Sequence, residues 1–316
     1  MSVGSRPLVP SRLAPGGVVS HGSRRQPTTV FGGYIAMMKL RVVELLLITT
    51  VPTMVLAEKG WPAWSLVGIT LLGGTLAAGG ANVINMVVDR DIDALMERTK
   101  TRPLVTGLIA PRDALIFAVG LEIAAFAVLW VGANFLSAVL ALSATLFYVF
   151  IYTLWLKRTS KQNIVIGGAA GAVPVLVGWA AVENSLAWSP IILFLGIFLW
   201  TPPHFWALAI RHADEYRAAG VPMMPTVVPM RQTIRQMVVY SVAFAVVTWI
   251  LIPVADLGLI YSISAVILGI AFTVGVIDLG RNPTPKRSMR VFAFSITYIT
   301  VLFVALAVDV LVQNGL

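Results

Sequence analysis

Nine stretches of this sequence are apolar over the length, about 20 residues, that a helix needs to cross a bilayer. They fall at roughly 42–57, 64–86, 114–132, 134–156, 164–182, 189–209, 238–254, 257–279 and 291–312. Lipid offers no water to satisfy exposed backbone groups, so such segments cross as helices that pair their own N–H and C=O groups. With 58% hydrophobic and 12% charged residues among 316, and a mean hydropathy of +0.87, no sizeable soluble domain fits. The expected fold is an all-α polytopic membrane protein with nine transmembrane helices in one domain, residues 34–316. The first span is short. It is expected to begin nearer Tyr34, with Lys39 and Arg41 snorkelling or facing inward. The third and fourth spans nearly abut, so those two helices should be antiparallel neighbours.

The cations orient the bundle. Of 23 Lys and Arg residues, only Lys59 lies in the loops that follow odd-numbered spans; the rest sit in the N-terminal segment or the alternate loops. Positive charge stays on the cytoplasmic side. The N-terminus is therefore expected inside and the C-terminus outside. Residues 1–33 are rich in Pro, Gly, Ser and Arg, contain no acidic residue, and are expected to form a disordered basic cytoplasmic tail. Missing acids and abundant Arg also suit a mitochondrial transit peptide, but the prolines and glycines oppose an amphipathic helix. A bacterial plasma membrane is the favoured location and the mitochondrial inner membrane the alternative. The chain has no cysteine, which excludes disulfides, thiolate metal sites and cysteine nucleophiles.

Against this background, residues 82–104, NVINMVVDRDIDALMERTKTRPL, hold four carboxylates and four cations. On a helix, Asn82, Asn85, Asp89 and Asp93 fall within an arc of about 80°, while Asp91 points to nearly the opposite side. Positive loops are expected from topology alone, but carboxylates are not, and Asn82 and Asn85 occupy positions where apolar residues would be cheaper. Carboxylate and amide oxygens are hard ligands, and Mg²⁺ shares its shell with water and phosphate. Arg98, Lys100 and Arg102 follow at the right place to clamp a diphosphate. An anionic head with a greasy tail is the substrate class this implies.

A second acidic pair, Asp214 and Glu215, sits beside Arg211, His212 and Arg217 in a loop on the same side. Two metal-holding lips around one pocket are one reading of it; ordinary charges at a helix end are the other. Tyr152, Lys157 and Arg158 mark a third loop at this face. Gly167, Gly168, Gly171 and Pro174 behind them permit close packing or a broken helix. His204, an intramembrane histidine after Pro202 and Pro203, is either a functional or a structural group. Glu44 and Glu122 are expected to face the interior.

The segment around Asn85, Asp89 and Asp93 resembles the first Asp-rich signature, N-x-x-x-D-x-x-x-D, of the UbiA superfamily of intramembrane prenyltransferases. MMKLRVVELLLITT, DRDIDALMERTKTRPL, YTLWLKRTSKQNIVIGGAAGAVP, TPPHFWALAI and DEYRAAGVPMMP resemble its heme-farnesylating branch, and run in order through residues 37–225. The superfamily's second D-x-x-x-D is not matched, because Ala218 stands four after Asp214. Leu40 stands where that branch commonly has proline.

The resemblance implies a helix bundle around a central cavity, and transfer of farnesyl from farnesyl diphosphate to a vinyl group of heme b with addition of water. It implies Mg²⁺ on Asn85, Asp89 and Asp93, with Asp214 and Glu215 contributing. Arg98, Arg102, Lys157 and Arg158 would hold diphosphate, Tyr148 or Tyr152 would offer a π face to the allylic cation, and Lys39 or Arg41 would meet the heme propionates with His204 near the heme. A heme A synthase or terminal oxidase assembly is the implied protein partner, and no nucleic acid is expected. A prenyltransferase acting on a quinone precursor is the nearest alternative. A transporter would show inverted repeats at the midplane; a heme-binding membrane protein would want two facing axial ligands.

Overall fold

The computed structural model describes residues 29–315. Most of the expected basic tail, and the side chains of Arg41 and Glu44, lie outside the described residues. The helices are α1 Val30–Met38, α2 Leu40–Glu58, α3 Trp64–Val88, α4 Arg90–Leu95, α5 Pro103–Thr106, α6 Pro111–Gly132 and α7 Phe135–Leu146. A π-helix, Phe147–Leu156, continues α7 into α8, Lys157–Thr159. Then come α9 Asn163–Glu183, α10 Trp188–Arg211, α11 Ala213–Ala218, α12 Met224–Val227, α13 Met230–Val254, α14 Leu259–Arg281 and α15 Pro285–Gln313.

Among the described residues, eight of these are long and apolar enough to span a membrane, the α7–π–α8 rod counting as one. The first expected span meets α2, which has 19 residues and whose apolar stretch among the described residues is Ile48–Glu58. Every expected span therefore meets a helix, and α2 makes the count of nine approximate. Each long helix packs on the next in sequence, and α15 packs back on α2, closing a ring. Short connections enforce this: Ala133 and Asn134 alone join α6 to α7, and Asn134 caps α7 by accepting from the Ser137 N–H at 2.9 Å. Contacts of α9 with α2, and of α10 with α15, tie the ring across. Outward-facing apolar side chains such as Ile123, Val131, Ile267 and Val274 are exposed, as lipid contact requires.

The helices depart from the apolar runs in two places. First, α13 and α15 begin at Met230 and Pro285, eight and six residues before the hydrophobic segments. Arg231, Arg235, Lys286, Arg287 and Arg290 continue the helices into water, where hydropathy cannot register them. Second, the expected single first helix is two. Lys39 takes a left-handed conformation, φ 53° and ψ 50°, between α1 and α2. That is costly for a side chain with a Cβ, and the bend is held from outside: the Asn82 amide donates to the Met38 carbonyl at 3.1 Å.

Candidate active site

The face anticipated from the 3–4–4 spacing exists. Asn82, Asn85, Asp89 and Asp93 are all buried, and Asp91 is exposed. Helix α3 stops at Val88 and α4 starts at Arg90, yet the Asp93 N–H still donates to the Asp89 carbonyl at 2.8 Å. The near-helical turn keeps the two carboxylates in line. Four buried polar side chains would be expensive unless paired, and the pairing explains the site.

Four loops or helix ends converge on it. The Asn85 amide donates to Asp89 Oδ2 at 2.7 Å and to Thr153 Oγ1 at 3.2 Å. Its own oxygen accepts from Lys39 Nζ at 3.1 Å. Lys157 is ion-paired with Asp89 and Arg102 with Asp93. The Thr99 hydroxyl donates to the Asp93 carbonyl at 2.9 Å, which shapes the turn carrying Arg102. Three cations from three segments thus meet one amide–carboxylate face. The Lys157 and Arg102 side chains stay partly accessible, at 17% and 21%, while the Asp89 side chain is fully buried.

Within this Asn–Asp face one side-chain atom has no hydrogen-bond partner among the described residues: Asp89 Oδ1 is buried and unbonded, with the Arg158 guanidinium 3.8 Å away. A buried, unsatisfied carboxylate oxygen is rare and calls for a ligand. Among the described residues no three His, Cys, Asp or Glu side chains are grouped to cage a metal. An all-oxygen site of so few protein ligands fits a small hard dication that completes its shell with water and substrate phosphate. It does not fit zinc, which would want nitrogen or sulfur.

The second ring of contacts sorts the remaining candidates. Arg158 grips Asp91 through two bonds of 2.7 Å and donates to the Val88 carbonyl at 2.9 Å. It closes the end of α3, with its guanidinium also 3.8 Å from Asp89 Oδ1. The Arg158 hydrogen bonds hold the Asp91 carboxyl down at about 2. Arg98 donates to the Tyr216 hydroxyl at 3.1 Å and lies 5.6 Å from that ring's centre, linking this turn to α11. Tyr216 and Thr153 were not anticipated; their partners lie 118 and 68 residues away, beyond any local pattern.

Residues Asp214 and Glu215 do not join the pair. The Asp214 side chain is fully exposed and bonded to Arg217 of its own helix at 2.7 Å. Glu215 Oε1 lies 2.9 Å from His212 Nδ1, and its Oε2 is a second buried carboxylate oxygen without a hydrogen-bond partner. Lys39, one of two cations expected at the heme propionates, donates to Asn85 Oδ1.

His204 is buried between Trp200 and Phe292, with ring centres 4.3 and 4.5 Å away and planes within 25°. Its Nδ1 is 2.6 Å from Ser295 Oγ. Both ring faces are covered, so they cannot stack on another flat molecule, and the residue joins α10 to α15.

Below the charged face, the π-helix presents Tyr148 and Tyr152 stacked at 5.2 Å and 24°. The two rings stand four residues apart on this segment, and π-helical segments are frequent at functional sites. Gly167 faces the Tyr152 ring so closely that a Cβ there would collide with it. The glycine expected to permit close packing does so here, and fixes the ring. What gathers at this end is a pair of oxygen-donor acids, three cations suited to a polyanion, and aromatic rings beneath.

Comparison with known proteins gives the same architecture. The UbiA prenyltransferase family matches residues 46–305. The protoheme IX farnesyltransferase of Parafrankia sp. is 51% identical, covering 92% of this chain and 94% of that protein. The protein of that name from Clavibacter sepedonicus is 49% identical over 87% and 91%. Among solved structures, a digeranylgeranylglyceryl phosphate synthase superposes with a TM-score of 0.74, at 17% identity over 89% of this chain and 98% of its own. A UbiA homolog from Archaeoglobus fulgidus, bound to DMAPP and Mg²⁺, gives 0.62 at 17% identity over 87% and 99%. The chain belongs to the UbiA prenyltransferase family.

Proposed function

We propose that this protein transfers the farnesyl group of farnesyl diphosphate to a vinyl group of heme b, with addition of water, to make heme O. The observation that carries the reaction type is the buried Asn85–Asp89–Asp93 face met by Lys39, Arg102 and Lys157 above stacked tyrosines. The choice of acceptor rests on relatives about half identical over nine-tenths of the chain.

In the reaction the C1–O bond of the farnesyl diphosphate breaks and diphosphate leaves. The vinyl carbon bonds to the allylic cation; the cation left on the side chain takes water and loses a proton. Asp89 and Asp93 are the residues that would hold Mg²⁺, with Asn85 orienting Asp89. Bound there, Mg²⁺ supplies positive charge to the departing diphosphate. Lys39, Arg102 and Lys157 add fixed charge on the same side, and each is released from its amide or acid when a polyanion takes its place. Arg158 and Arg98 hold the walls. The Tyr148 and Tyr152 rings lend π density to the allylic cation, while the apolar bundle keeps water away until the new bond forms. His204 is a positioning residue between α10 and α15. Lys59 is opposed by all the other cations, so the site opens to the cytoplasm, with the C-terminus outside.

A quinone precursor as acceptor is the second reading, since the site accounts for ionisation and leaves the acceptor to relatives. The test is expression in a bacterium lacking heme O, followed by heme extraction and chromatography with mass detection, with Asp89→Ala as control. A heme bearing hydroxyethylfarnesyl, absent in the control, is expected. Heme b alone, with folded protein and farnesyl diphosphate present, overturns the acceptor.

A further inference from the structure

A groove of about 230 Å³ lies on the outer surface between α14 and α15, away from the site above. Its floor is apolar: Ala271, Gly275 and Phe294. Its mouth is charged: Asp278, Arg287 and Arg290. Arg287 is fixed by Asp278, whose carboxylate and carbonyl oxygens each accept at 3.1 Å. Arg290 is exposed and has no ion pair among the described residues. The lining therefore carries one uncompensated positive charge, and Arg281 and Lys286 of the same hairpin add to it.

The setting is lipid. Ile270, Val274 and Ile277 of α14 are exposed on the apolar flank of the groove. At 1.5 Å per residue, Ala271 lies about 10 Å deeper along α14 than Asp278. A Cβ added to Gly275 would meet nothing within 4 Å, so the glycine leaves the groove open. A charged mouth at the membrane surface above an apolar slot running inward fits one kind of molecule.

We propose that this groove binds an anionic phospholipid of the cytoplasmic leaflet, its phosphate between Arg287 and Arg290 and the start of an acyl chain along Gly275 and Phe294. Basic pockets between spanning helices on this side suit such headgroups. The volume takes a headgroup and the first methylenes, not a whole lipid. Net charge selects the lipid: a singly anionic headgroup neutralises the lining, and a zwitterionic one leaves it positive. The proposal does not depend on what the enzyme prenylates, and its test needs no turnover.

The experiment is native mass spectrometry of the full chain released from detergent, with phosphatidylglycerol or phosphatidylcholine added in equal amounts. The phosphatidylglycerol adduct should exceed the phosphatidylcholine adduct about fivefold, and Arg290→Gln should lower it about fivefold. Gly275→Leu should abolish it with the charge unchanged. Ala271→Trp, one turn deeper on the same helix, provides a second filler if Gly275→Leu does not fold, and thermal unfolding of each variant verifies folding. Equal adducts of the two lipids overturn the proposal. So does a wild-type adduct in both filled variants, which would mean adhesion by charge alone. Displacement by millimolar inorganic phosphate would make this a free-anion site and overturn it as well.

Discussion

Two fully formed carboxylate sites lie at opposite ends of this bundle, and they are built differently. Asp309, near the end of α15, accepts from the backbone N–H groups of Gly258, Ile260 and Tyr261 at 2.5, 3.0 and 3.2 Å. Both its oxygens are satisfied, and by donors that cannot move. It caps the start of α14, where the helix dipole also favours negative charge. Asp89, at the other end, is held by side chains: an amide, a lysine and, more distantly, an arginine. One of its oxygens is unsatisfied. Burial is the same, and the partners differ. Backbone donors make a carboxylate structural; exchangeable cations and an unused lone pair leave it free to take a ligand.

The largest effect should therefore fall on activity at one end. Asp89→Asn removes the charge but preserves shape, and should lower prenyl transfer by about 10²–10³-fold, the scale of losing one preorganised charge-stabilising group. Folded yield should hold, because no uncompensated acid remains. Turnover of purified, folded protein checks this. If Asp89→Asn instead unfolds the protein and leaves the specific activity of the folded fraction intact, the two carboxylates are alike and the contrast fails.

Lys157 sharpens the point. Lys157→Met strands the Asp89 carboxylate, and removing one member of a buried pair costs about 3 kcal/mol. Adding Asp89→Asn should restore much of that stability while activity stays lost. Denaturant unfolding of the single and double variants measures the coupling; additive losses would mean the ion pair contributes nothing.

Asp309→Asn should do the reverse of Asp89→Asn. It weakens three hydrogen bonds to a charged acceptor and should cost about 2 kcal/mol. The activity of what remains folded should stay within about twofold, since a group outside the reacting region affects rate only through the amount of folded enzyme. A loss of specific activity as large as that of Asp89→Asn would show that the two ends are coupled.

The same contrast explains what the sequence discloses. Asn82, Asn85, Asp89 and Asp93 were legible because helical periodicity is local: spacing alone puts them on one face and Asp91 on the other. The spans and their short loops were legible because hydropathy is local too. Asp309 was passed over because its partners lie 48 to 51 residues earlier, in a turn that has no mark of its own. The contact of Lys39 with Asn85 is hidden in the sequence for a related reason. The left-handed bend at Lys39 is imposed by Asn82 from another helix, and that bend turns the ammonium onto Asn85. The π-helix was equally hidden, since Phe147–Leu156 reads as any apolar run. His204 reads as either functional or structural, because intramembrane histidines are rare and face the interior. Its burial by Trp200 and Phe292 is a tertiary fact. Asp214 and Glu215 read as a second lip of the site because their loop lies on the same side, and the helix they occupy turns Asp214 out to solvent.

The smallest effect belongs to Asp91, the third acid of the motif, which tests whether the outer face is only structural. It is exposed, and its tie to Arg158 secures the end of α3. Asp91→Asn should reduce activity far less than Asp89→Asn, and the difference should depend on pH in a fixed sense. The Arg158 bonds lower the folded-state value of Asp91 from 3.8 to about 2. The pair's contribution to stability is therefore complete above about pH 4, and fades as pH falls through about 2. Thermal unfolding of wild type and Asp91→Asn should thus differ by a constant amount between pH 5 and 8, and converge only in strong acid. A gap that instead changed between pH 5 and 8 would mean that Asp91 senses a group of the buried site, and that the two faces of this helix end are not separate.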